Sequence, residues 1–152
     1  MRFLLISIFL FLSSLMAKST NVVINLIDPD SPDITIGKIA ISEGKNELIF
    51  TPDLNSISPG SYAIAIYQNA SCAPRTRDGQ VVAGLAAGEI LKSKKGNIGE
   101  LSKLIINNDG SANNIKTKNF KSLSEVQNHA IIIHEQKYLD IYGSRMACGV
   151  IK

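Results

Sequence analysis

The sequence has no tryptophan, only two histidines and only two cysteines among 152 residues, and aromatic side chains make up 6%. Each shortage excludes something. With so few rings, a core has to be mostly aliphatic. Two histidines argue against storage of copper or zinc through surface imidazoles and carboxylates. There is no Cys-x-x-Cys cluster, no phosphate-binding loop and no Ser/His/Asp set. Charge of one sign is scarce as well. The formal net charge is +3, spread along the chain. The densest basic run, KSKK at 92–95, is too short to argue for nucleic acid and reads as a solvated loop. Internal repeats and low-complexity segments are absent.

What is present begins with MRFLLISIFLFLSSLMA. Arg2 supplies a positive start, residues 3–12 an apolar run, and small residues follow, with Ala17 and Ser19 spaced as A-x-S. This is a secretory leader pattern. The run is short for a membrane span, which needs about 20 residues. No cysteine stands near the cut, which argues against a lipid anchor there. The expectation is a leader over 1–19, cut after Ala17 or Ser19, a single domain over 20–152, and no membrane association after cleavage. Loss of residues 1–17 removes Arg2 alone, so the charge becomes +3 − 1 = +2. Frequent Lys, Asn and Ile fit an AT-rich bacterial genome, which places the mature protein in a periplasm. There, Cys72 and Cys148 are expected to form a disulfide. The closed loop of roughly 75 residues would stabilise by about 4–5 kcal/mol as an upper figure.

Hydrophobic residues at 45% and charged residues at 19% describe a globular chain. Short runs rich in Val and Ile recur: NVVINLID, TIGKIAISE, NELIFTPD, SYAIAIYQ, QVVAGLAA, KLIINNDG, HAIIIHE and MACGVIK. Turn chemistry such as DPDSPD, EGKN and NNDGSANN separates them. Only GNIGELSKLI (96–105) and SLSEVQN (122–128) offer a helical turn. The pattern predicts an all-β antiparallel sandwich or barrel of about eight strands.

Three stretches together carry a resemblance. FTPDLNSISPGSYAIAIYQNASCAP (50–74), VAGLAAG with GELSKLIINNDGSA (82–88 and 99–112), and HAIIIHE with GSRMACGVIK (129–135 and 143–152) resemble the bacterial secreted Cu,Zn superoxide dismutases. The resemblance spans nearly all of the mature chain in order. It implies a Greek-key eight-stranded β-barrel and a site for copper and zinc. The copper histidines that the family carries on one strand face fall at Ala65 and Tyr67. The histidine shared by both metals falls at Ile90, the last zinc histidine at Asn97 and the zinc aspartate at Glu100. Another zinc histidine has no counterpart. His134 keeps the last copper-ligand position, and Arg145 keeps that of the arginine that guides the anionic substrate. His129 matches a structural histidine. It stands five residues from His134, so the two face opposite ways on a strand. The segment between His134 and Arg145 is shorter than the family's loop.

These positions lead to a sharp expectation. Ala65 and Ile90 offer no ligand, and a tyrosine phenol near pKa 10 is a poor one. The reading is of a filled-in site with no copper or zinc cofactor, in an exported protein that acts by binding an unknown protein partner or itself. The alternative is a dismutase with a reduced metal site at His134 and Arg145, helped by Glu100, Tyr67 or Glu135. Asn69-Ala70-Ser71 also fits an N-glycosylation pattern, a match common by chance.

Overall fold

The computed structural model describes residues 17–28, 30, 34–135 and 142–152. The leader run at 3–12 therefore lies outside the described residues, as does most of the DPDSPD turn.

Eight strands form one antiparallel sheet that curls toward a barrel. They are β1 (Ser19–Leu26), β2 (Ile34–Glu43), β3 (Leu48–Leu54), β4 (Gly60–Tyr67), β9 (Leu104–Ile106), β10 (Ile115–Thr117), β11 (His129–His134) and β12 (Arg145–Ile151). Their order is β10-β3-β2-β1-β12-β11-β4-β9. Between β4 and β9 lie two small hairpins, β5 (Arg75–Arg77) with β6 (Gln80–Val82) and β7 (Lys92–Ser93) with β8 (Gly96–Asn97). The outermost strands β9 and β10 are linked through residues 112 and 113. Ala112 bridges Ile106, and the Asn113 side chain accepts from the Ile105 N–H at 2.7 Å and donates to the Lys103 carbonyl. The chain thus crosses from one edge to the other and closes the gap.

Alternation decides what is inside. Ile24, Ile39, Ile41, Phe50, Ile64 and Ile131 are fully buried in the barrel interior. Each such side chain contributes roughly 1.5–3 kcal/mol. The alternation breaks once on β2, where the register with β1 shifts between Ile24 and Asn25. Gly37 sits there at φ 132°, so close to the Asp53 carbonyl that a Cβ has no room. The bulge lets both Ile36 and Ile39 point inward.

The all-β architecture matches the sequence expectation, with two corrections. QVVAGLAA is not a barrel strand. Asp78 and Gly79, at φ 52° and 77°, turn the chain so that β6 pairs with β5, and Leu85–Ala87 then forms a single 3-10 turn. The eighth barrel strand is instead β10, only three residues long. Of the two helical stretches, SLSEVQN forms a 3-10 turn at Leu123–Glu125 with a capping box from Ser122 and Glu125. GNIGELSKLI does not; it gives β8, a loop and the start of β9.

Candidate functional site

The outer face of β4 and β11 carries a second cluster, separate from the barrel interior. On β4, Tyr62, Ile64 and Ile66 point inward while Ala65 and Tyr67 point outward. On β11, Ile131 and Ile133 point inward while Ala130 and Ile132 point outward, and His134 continues the outer row. The register sets Tyr67 opposite Ala130, Ala65 opposite Ile132, and His134 opposite Arg145 of β12. Isolated bridges bring Ile90 to Tyr67 and Glu100 to Ala65. Ala65, Tyr67, Ile90, Glu100, His134 and Arg145 are thus gathered at one place.

His134 is 3% exposed. Its Nδ1 lies 2.8 Å from the Gly143 carbonyl, which can only accept, so Nδ1 carries the proton. The lone pair is then on Nε2, and the Tyr67 hydroxyl donates to it at 2.9 Å. Burial lowers the His134 pKa; the Gly143 bond partly opposes this, and the nearby Arg145 charge adds to it. Burial raises the Tyr67 phenol above its ordinary value, partly offset by the charge and hydrogen bonding of Arg145. Tyr142 meets His134 edge-on, with ring centroids 4.9 Å apart. Its phenol is pushed up to about 12 by burial, then by Glu100 and Tyr67.

Arg145 is half-buried and tied to the 84–88 loop. Its guanidinium donates to the carbonyl of Gly84 and, at 2.7 Å, to that of Gly88. The same group lies 4.5 Å over the Tyr67 ring. Gly84 adopts φ 64°, and a Cβ there would meet the Ile27 side chain at 2.7 Å. Of the zinc-ligand positions, Asn97 and Glu100 are exposed whereas Ile90 packs against the outer cluster, and Asn97 donates to Glu100 at 3.0 Å. His129 points its Nδ1 at the Gln68 carbonyl, 2.8 Å away, and at that of Tyr67. Cys72 and Cys148 form the disulfide, Cα atoms 5.8 Å apart, beside the outer cluster. The Asn69 side chain donates to the Ala86 carbonyl, so the glycosylation pattern falls on an amide already used by the fold.

The donors at this place do not fit copper or zinc. Ala65 and Ile90 have no donor atom, and both nitrogens of His134 are engaged. Tyr67 is held in its neutral form by burial, and a neutral phenol is a weak ligand. Among the described residues, no three of His, Cys, Asp and Glu come together as a cation site. Sequence reasoning did not find Tyr142 or the carbonyls of Gly84, Gly88 and Gly143. The one available signal was Tyr142 itself, a scarce aromatic three residues before Arg145.

Residues 35–151 match the family described as copper/zinc superoxide dismutase (SODC). A Cu-Zn superoxide dismutase of Pasteurella multocida is 36% identical over 85% of this chain and 80% of its own length. A second, from Salmonella typhimurium, is also 36% identical and covers 90% of both chains. Among solved structures, the Cu/Zn superoxide dismutase of Brucella abortus superposes with a TM-score of 0.80 at 29% identity, covering 89% of this chain and all of its own. The solution structure of the monomeric copper, zinc superoxide dismutase of Salmonella enterica gives 0.77 at 34% identity over the same shares. An antiparallel Greek-key barrel of this kind defines a class, and the chain belongs to the copper/zinc superoxide dismutase family.

Proposed function

We propose that this chain is an exported member of the family without dismutase activity, which uses the barrel as a binding or structural element of a bacterial envelope. One observation carries the reading: the only imidazole left among the copper-ligand positions has both nitrogens occupied, one by Tyr67 and one by Gly143. Superoxide dismutation takes an electron from one superoxide and gives it to another. That cycle needs a centre that is reversibly oxidised, and no side chain gathered here supplies one on its own. Arg145, which would guide an anion, commits two of its donors to loop carbonyls.

Export is supported by the leader pattern and by a disulfide, which persists in oxidising compartments. The Lys18 carbonyl accepts from the Glu43 N–H, and β1 starts at Ser19. Cleavage after Ala17 keeps this edge whole, whereas cleavage after Ser19 removes part of it. The N-terminal mass of the exported protein distinguishes the two cuts, and a retained leader would contradict export.

The names of the relatives favour a second reading, dismutation at a reduced site around His134 and Arg145. One experiment separates the readings: copper and zinc loading of the oxidised mature protein, followed by metal analysis and a superoxide assay on the same sample. The first reading expects neither stoichiometric copper nor activity. About one copper per chain, with activity lost in His134→Ala, would establish the second.

A further inference from the structure

We infer that Tyr67 is the hub of a latch that ties two loops to the outer face of the barrel, where a metal ion would otherwise tie them; this rests on the metal-free reading above. The latch has two arms. In the first, the Tyr67 hydroxyl donates to His134 Nε2, and His134 Nδ1 donates to the Gly143 carbonyl. This arm fixes residues 142–144, next to the bond from the Glu135 N–H to the Ser144 carbonyl. In the second, Arg145 rests on the Tyr67 ring and donates to the Gly84 and Gly88 carbonyls. This arm fixes the 84–88 loop, which is also held by bonds from the Ala86, Ala87 and Gly88 amides.

The hub is closed. Among the described residues, no buried side-chain nitrogen or oxygen lacks a partner. Tyr67 is 4% exposed and His134 3%, so water cannot easily replace a lost partner. In such surroundings each bond polarises the next, and deletion of one donor leaves an orphan acceptor behind. A metal ion holds loops by collecting their side chains around one charge. Here a neutral phenol collects an imidazole on its hydroxyl and a guanidinium on its ring.

Two variants test the arms separately by native-state hydrogen exchange. Tyr67→Phe keeps the ring under Arg145 and removes only the hydroxyl. The Glu135 amide should then exchange faster by about tenfold or more. The Ala86, Ala87 and Gly88 amides, whose arm keeps its ring and its guanidinium, should change far less. Arg145→Lys keeps the charge and loses the forked geometry. It should release the Ala86, Ala87 and Gly88 amides. The latch is refuted if Tyr67→Phe leaves the Glu135 amide unchanged, if it speeds the Ala86, Ala87 and Gly88 amides by the same factor, or if Arg145→Lys leaves the 84–88 amides protected. Parallel measurements on chelator-treated and copper- and zinc-loaded wild type isolate the other reading. Stoichiometric metal that slows the loop amides would overturn the metal-free reading, whereas the latch stands or falls on the variant pattern.

Discussion

Lowering the pH from 7 to 5 loads a proton onto His134 in the unfolded chain before it does so in the folded one. The unfolded side chain titrates near about 6.5. In the folded state burial first, and the neighbouring Arg145 charge as well, hold its pKa lower, with the Gly143 bond as partial opposition. Between the two values the unfolded state binds more protons, so stability rises with pH there. The sign is therefore fixed. The His134 contribution is fully present above about 6.5 and is lost as the pH falls toward the folded value. The steepest slope one group can give is about 1.4 kcal/mol per pH unit. The groups facing His134 reinforce the sign. Tyr67, Tyr142 and Arg145 surround it, and none of them is an anion at these pH values. Glu100, close enough to raise the Tyr142 phenol, is itself exposed. The lowered carboxylates Glu89, Asp109 and Glu125 titrate below this window. The assay is urea unfolding of the oxidised protein from pH 7.5 to 5 at fixed ionic strength, with the m-value checked for constancy. Wild type should lose stability below about pH 6.5, and His134→Gln should flatten the profile. Equal stability at pH 5 and 7, or a slope that survives in His134→Gln, would refute the reasoning.

Ala65→His with Tyr67→His places two imidazoles on the face that carries His134 and frees its Nε2. Bound copper should rise to about one per chain by metal analysis; no gain over wild type would mean that this face no longer has ligand geometry. Cys72→Ser with Cys148→Ser opens a link between residues 76 apart in sequence. It should cost about 2–5 kcal/mol in urea unfolding, and a loss under about 1 kcal/mol would show that the unfolded state is already compact.

The legible part of the fold was its alternation. SYAIAIYQ shows two faces in the sequence, and Ala65 with Tyr67 stand together on the outer one as expected, whereas the apolar run of HAIIIHE is buried on both faces and shows none. The Asp-Gly turn in NNDGSANN was visible for the same local reason, since Gly110 takes φ 84°. QVVAGLAA misled because its apolar residues are interrupted by the left-handed Gly84, which no apolar count registers. β10 escaped because three residues carry too little pattern, and its place is set by pairing with β3, more than sixty residues earlier. The candidate positions followed from the resemblance. Their contacts did not, because the Tyr67, His134 and Gly143 chain depends on a register between strands far apart in sequence.

The split between the interior row of β4 and its outer row bears on how such a chain can change over generations. Tyr62, Ile64 and Ile66 sustain folding, whereas Ala65 and Tyr67 face a separate cluster. A change in the outer row therefore leaves the interior row of the same strand in place, so the barrel interior and the outer cluster can vary separately.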